Sequence, residues 1–163
     1  MKLILAFLCV LPLAVLAQQQ VASTAKEPVP AGIEAVVTKG MVTIGAQRLL
    51  YTTHTGYLNL QNDTGKVVAR VFFTYYRKDN DNNLARPITF AFNGGPGSSS
   101  VWLHMGALGP RRVALKDDGT APAPPYQVIN NEFTWLDKTD LVFIDPVSTG
   151  FSRPAPGESA KQF

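Results

Sequence analysis

The stretch Asn93-Gly94-Gly95-Pro96-Gly97-Ser98-Ser99-Ser100 makes an unusual demand on its backbone. Gly94 and Gly95 allow positive φ and the close approach of another group. Pro96 fixes one φ and withdraws one N–H, which stiffens the loop. Ser98, Ser99 or Ser100 can cap a helix that begins just beyond, whose free N–H groups and dipole favour negative charge. The product is a rigid set of backbone donors aimed at an anion. Two chemistries use that device. One cradles a stable phosphate, and the other stabilises the oxyanion formed when a nucleophile attacks a carbonyl. The phosphate loop ends in Gly-Lys-Ser/Thr, which is absent. The dinucleotide fingerprint needs a second glycine spacing and a downstream acid that this stretch does not supply. The oxyanion reading fits better, because hydrolases with a nucleophile elbow take one donor from a Gly-rich loop after an early strand. A plain turn before a capped helix is the alternative.

Such donors need a strand to deliver them. Ile88-Thr89-Phe90-Ala91-Phe92 is a short apolar run without alternation, as expected of a strand buried on both faces, and Leu141-Val142-Phe143-Ile144 is a second. Between them lie a helix expected from Ser99 to about Leu108 and a proline-rich loop, Pro122 to Pro125. Two buried strands separated by a crossover predict a parallel α/β sheet. Upstream, Ile33–Lys39, Met41–Ile44 and Arg48–Thr53 read as short strands separated by Gly40 and Gly45. Gly56–Leu60 follows, and a turn at Gln61–Gly65 leads into a long strand over Lys66–Arg77, which completes an antiparallel meander.

Composition narrows the classes. The chain has 163 residues, 45% hydrophobic and 17% charged, which suits one globular domain. Its net charge of +3 is mild and its basic residues are scattered, which sets aside a nucleic-acid partner. Residues 1–17, MKLILAFLCVLPLAVLA, read as a signal peptide cleaved before Gln18. The apolar run Leu3–Leu16 falls short of the roughly 20 residues a membrane span needs. The chain is therefore expected to be exported, to the periplasm or the extracellular space. Cleavage removes Cys9, the only cysteine, so the mature chain cannot rely on disulfides or a Cys/His metal site. Residues 18–32 read as a flexible linker, and residues 33–163 as the folded part. The Asp79–Asn83 run begins like a calcium loop but lacks its glycine and glutamate, so no metal is expected.

Taken together these residues resemble the serine carboxypeptidase family. NGGPGSSS at 93–100 resembles that family's Asn-Gly-Gly-Pro-Gly-(Cys)-Ser-Ser loop, and LGP at 108–110 its following Gly-Pro segment. NNEFTWLDKTDLVFIDPVSTGFS at 130–152 resembles its Asn…Trp…Asp-x-Pro…Gly-Phe-Ser block, and TGYLNL at 55–60 its early Ser-Gly-Tyr-Leu-x-Val strand. The resemblance implies an α/β-hydrolase fold, here its N-terminal part: an antiparallel meander leading into a parallel sheet. It implies a Ser–Asp–His triad that removes C-terminal residues through an acyl-enzyme, with no cofactor. Carried over by position, Gly95 would give its backbone N–H to the oxyanion. Asn93 would bind the substrate's C-terminal carboxylate through its amide, and Gly94 would form part of that wall. The partners implied are a peptide or protein with a free C-terminus and the missing C-terminal part of the same domain.

The chain departs from the family's pattern at several points. Ser98 stands where a cysteine is usual, Ala107 and its neighbours lack the glutamate that helps to bind the terminal carboxylate, and the Asp-x-Pro block is one residue shorter at Asp145-Pro146-Val147. Gly157-Glu158-Ser159 imitates the nucleophile motif, but it lacks the second glycine, follows a Pro-rich loop and has no buried strand ahead of it, so Ser159 reads as a decoy. His54 and His104 precede any nucleophile and read as a strand residue and a helix-surface residue; Arg111-Arg112 reads as a solvated pair. The chain is thus expected to hold the oxyanion loop without the triad, to be inactive alone, and to be poorly soluble through an unpaired edge strand. A carboxypeptidase-like acyltransferase or lyase, or a secreted non-catalytic β-rich binding module, are the other readings.

Overall fold

The computed structural model describes residues 33–81, 85–94 and 97–163; the leader, the linker and Gly95 lie outside the described residues. Three long strands come first: β1 (Ile33–Ile44), β2 (Gln47–Gln61) and β3 (Val67–Lys78). They pair antiparallel as β1-β2-β3, the meander the turn signals predict. Gly45, at φ +57, makes the first turn. At the second, Asn62 Oδ1 accepts from Thr64 N–H, Thr64 Oγ and Lys66 N–H, and Gly65 takes φ +79.

The strands run further than the glycines suggest. Gly40 and Gly56 lie inside β1 and β2 rather than between shorter strands. A Cβ on Gly40 would fall within the Tyr51 ring, and one on Gly56 would meet the Glu34 carbonyl. Glycine here marks close cross-strand approach, not an end of pairing.

After the meander come β4 (Ile88–Ala91) and, past a long excursion, β7 (Asp140–Ile144). They pair in parallel, Ile88 opposite Asp140 and Ala91 opposite Phe143. β7 also pairs antiparallel with β3, which gives the sheet order β1-β2-β3-β7-β4; β8 (Arg153–Pro154) adds to β3. The excursion holds a hairpin that the residue pattern did not announce, β5 (Arg111–Val113) with β6 (Val128–Asn130).

One face of the sheet is covered. Val42, Leu49, Tyr51, Tyr76, Ala91, Leu141 and Phe143 form its core with Leu136, which comes from a single 3₁₀ turn at Trp135–Asp137. The other face corrects the expectation for β4. Ile88, Phe90 and Phe92 are 50%, 61% and 62% exposed, while Ala91 on the opposite side is buried. Among the described residues no element packs over that apolar stripe, and β4's outer edge has no strand beside it. Among the described residues, too, no helix is long and apolar enough to cross a membrane.

The helix after the glycine loop is shorter than its sequence suggests. An α-helical turn, Val101–Leu103, runs directly into a π turn, His104–Leu108. Gly106 and the Gly109-Pro110 pair remove the means to continue it.

Candidate active site

Because β4 and β7 are parallel, their carboxyl ends open on the same side. The glycine loop leaves one and Asp145 leaves the other, where ligands bind in open α/β sheets. Asn93 is half-buried, and its Nδ2 donates to the Gly94 carbonyl at 3.2 Å. Gly94 does not adopt positive φ, contrary to the reading of its residue type; the left-handed residue of the described loop is Gly97, at φ +81. Around Gly94 a Cβ would meet nothing within 4 Å, so the space above this peptide is open. The assigned oxyanion donor, Gly95, lies outside the described residues.

The serines behave differently from helix caps. Ser100 holds the N-cap position, yet its side chain caps nothing. Its N–H and its Oγ–H both donate to Asp145 Oδ1, at 2.9 Å each. The other carboxylate oxygen, Oδ2, accepts the N–H of Phe151 at 3.0 Å. Asp145 is buried, so the anion at this helix start is the protein's own. Gly150 sits at φ +46 against that carboxylate, where a Cβ would collide with Oδ2. Ser152, fully buried, closes the loop: its Oγ donates to the Asp145 carbonyl at 2.7 Å and accepts the Phe72 N–H at 2.7 Å. Asp145 stood in the block that carries the resemblance, but nothing local marks its role. The one clue is a glycine five residues on.

His104 corrects another expectation. It does not lie on a helix surface: its ring stacks on Phe143 at 4.5 Å, and Nε2 is 2.7 Å from the Tyr76 hydroxyl. Desolvation there lowers its pKa from 6.5 to about 4, opposed weakly by the charge of Asp145. The unfolded chain therefore binds a proton from about pH 6.5 downward, and the folded chain only near pH 4. His104's contribution is intact above pH 6.5 and is lost progressively as pH falls through that window, by roughly 3 kcal/mol at its limit. Urea midpoints measured from pH 7 to pH 4 should fall, and fall less steeply in His104→Gln. Equal slopes would assign the pH dependence to other groups.

The remaining candidates are structural. His54 is in β2, stacked on Tyr75. Ser159 caps a 3₁₀ turn, Ala160–Gln162, by accepting the Lys161 N–H, and the strand before it, two-residue β8, ends five residues earlier at Pro154. Arg111 ties β5 to β6 through Asn130 Oδ1 at 2.6 Å and the Val128 carbonyl at 3.0 Å. Arg112 is half-buried rather than a freely solvated residue: its Nε is buried and has no hydrogen-bond partner among the described residues. Ala107 offers only its carbonyl, which accepts from Asn131 Nδ2 at 2.6 Å. Among the described residues no group of His, Cys, Asp and Glu is placed to hold a metal ion.

A mixed sheet whose parallel pair delivers a glycine loop at its carboxyl end is α/β-hydrolase architecture, here in part. The chain belongs to the serine carboxypeptidase family, whose sequence model matches residues 45–162. The pheromone-processing carboxypeptidase KEX1 of Saccharomyces cerevisiae is 39% identical over 82 residues, which cover 50% of this chain and 10% of that protein. Its Schizosaccharomyces japonicus counterpart is 39% identical over 61% of this chain and 17% of its own length. Serine carboxypeptidase-like 33 of Arabidopsis thaliana is 29% identical over 60% of this chain and 18% of its own. The crystal structure of the S. cerevisiae prohormone-processing carboxypeptidase Kex1(Δ)p matches with a TM-score of 0.48 and 33% identity, over 61% of this chain and 20% of that one. The chain thus spans between 10% and 18% of the length of these curated relatives.

Proposed function

We propose that this chain is the oxyanion-loop portion of an exported serine-type carboxypeptidase that releases C-terminal amino acids through an acyl-enzyme. The observation that carries the reading is the placement of the glycine loop at the shared carboxyl end of β4 and β7, in a chain of this family. Gly95 donates its N–H to the developing oxyanion. Asn93 turns its amide to the substrate's terminal carboxylate, adding a charge-assisted hydrogen bond without adding charge. Gly94 leaves room for that carboxylate. The serine, aspartate and histidine of the triad come from the rest of a protein as long as its relatives. That remainder also covers the Ile88-Phe90-Phe92 stripe, as helices cover the faces of parallel sheets. Residues 1–163 alone therefore lack peptidase activity.

The absence of a glutamate beside Ala107 favours one further reading. With a weaker grip on the terminal carboxylate, the same loop would serve an acyltransferase or a lyase. A fluorophosphonate probe separates the cases. Residues 1–163 should remain unlabelled, while the full-length protein should be labelled at one serine and release C-terminal residues from peptides. Labelling without such release supports the acyltransferase or lyase, and no labelling of either supports a non-catalytic binding module. Stoichiometric labelling of residues 1–163 that disappears in Ser159→Ala would overturn the assignment of Ser159. The purified full-length protein should begin at Gln18.

A further inference from the structure

We propose that Asn62 is an acceptor for an N-linked oligosaccharide; this rests on export of the chain and on no residue of the glycine loop. Asn62-Asp63-Thr64 is an Asn-x-Thr tripeptide with a residue other than proline in the middle, and no second Asn-x-Ser or Asn-x-Thr occurs in the chain. Such a tripeptide matters only where the fold presents it. Here it forms the tip of the β2–β3 hairpin, and every residue from Gln61 to Lys66 is exposed. The Gly65 N–H closes the turn on the Asn62 carbonyl at 2.9 Å, and a Cβ on Gly65 would meet nothing within 4 Å. The space around the tip is open on that side.

The turn also orients the amide. Asn62 Oδ1 accepts the Thr64 N–H at 3.1 Å, the Lys66 N–H at 2.9 Å and the Thr64 hydroxyl at 2.7 Å. Backbone N–H groups only donate, so two of them fix the oxygen on the inner side of the turn. Nδ2 is left without a partner among the described residues. The hydroxyl bond draws charge onto Oδ1 and makes the NH₂ a better proton donor, which the transfer requires. In that transfer Nδ2 attacks the anomeric carbon of an oligosaccharide carried on a polyprenyl diphosphate. The N–C bond forms, the C–O bond to the diphosphate breaks, and the diphosphate leaves with its electron pair while Nδ2 gives up one proton. The lipid-linked donor and its transferase belong to the export compartment; residues 62–64 supply the acceptor alone.

The test is secretion of the full-length protein from a eukaryotic cell, followed by peptide N-glycosidase and mass spectrometry of the tryptic peptide that ends at Lys66. The wild type should carry a discrete mass step on that peptide, and the glycosidase should remove it. Thr64→Ala keeps the Asn62 side chain and should lose the step entirely, while Thr64→Ser should restore it. Asp63→Pro guards against a folding artefact. Asp63 is the second residue of the turn, where proline fits, so the hairpin should persist and the glycan should vanish. Secreted wild-type protein with an unmodified peptide overturns the proposal, and so does a step that persists in Thr64→Ala. Protein retained in the cell is secreted instead behind a leader of proven export in place of residues 1–17. A glycan gained in that form sustains Asn62 and overturns export by the native leader, whereas secretion with a bare peptide overturns Asn62 itself.

Discussion

Arg86→Leu is expected to destabilise the protein by roughly 3–5 kcal/mol, the range for removing one partner of a buried ion pair. The side chains of Arg86 and Asp140 are only 11% and 7% exposed, and Nε donates to Oδ1 at 2.7 Å. Arg86 also reaches Asp81 Oδ2 at 3.1 Å and the Leu136 carbonyl, so it ties the start of β7 to the end of β3 and to the 3₁₀ turn that fills the core. Asp140 further accepts the Lys78 N–H at 3.1 Å and the Tyr75 hydroxyl at 3.1 Å. Burial, and then that carboxylate, push the tyrosine's pKa up to about 12. With leucine at 86 the carboxylate keeps one backbone donor and one phenol, too little to offset its desolvation. Urea unfolding of the full-length protein measures the loss. The double variant Arg86→Leu/Asp140→Asn should recover part of it, and a single-variant change below about 1 kcal/mol would show the pair to be dispensable.

Gly150→Ala is the second large effect, expected at roughly 2–4 kcal/mol from left-handed backbone strain plus a steric clash. A methyl group there runs into Asp145 Oδ2 and approaches Ser99, so relief requires moving the carboxylate that holds Ser100. Gly157, also left-handed at φ +84 but with nothing within 4 Å of an added Cβ, isolates the strain component. Gly157→Ala should cost about 1–2 kcal/mol, and equal losses at the two sites would show that the Asp145 contact is loose. Both comparisons read from thermal or urea midpoints.

What the sequence discloses about this fold divides by the range of the interaction. β4, β7 and their parallel pairing were legible, because two short apolar runs separated by a crossover call for a parallel pair, but the burial expected on both faces of β4 was not found. The meander was legible through Gly45 and the Asn62–Gly65 turn, which are local chemistry. The continuity of β1 and β2 was not, since Gly40 and Gly56 accommodate Tyr51 and the Glu34 carbonyl across the sheet. The β5–β6 hairpin, three residues a side, is too short to carry a period. At the site, the place of the glycine loop after β4 was legible, and the contacts made by Ser100 and His104 beside it were not. Ser100 looks like a cap until Asp145, 45 residues on, is seen to hold it, and His104 looks like a helix-surface residue until Phe143 lies beneath it.

The strand order β3-β7-β4 has a kinetic consequence. β1, β2 and β3 can zip together as successive hairpins, each closing a short loop. Among the described strands β4 has β7 as its only neighbour, with Ile88 opposite Asp140, 52 residues later in the chain. β7 in turn must first find β3, Phe73 opposite Ile144. Contacts that close such long loops come late, because their entropy must be met before they return any stability. The glycine loop and Asp145 sit at the far end of that sequence. Asn93, which leaves β4, and Asp145, which leaves β7, are therefore among the last described parts to be fixed, and weakening the β4–β7 seam delays their arrival.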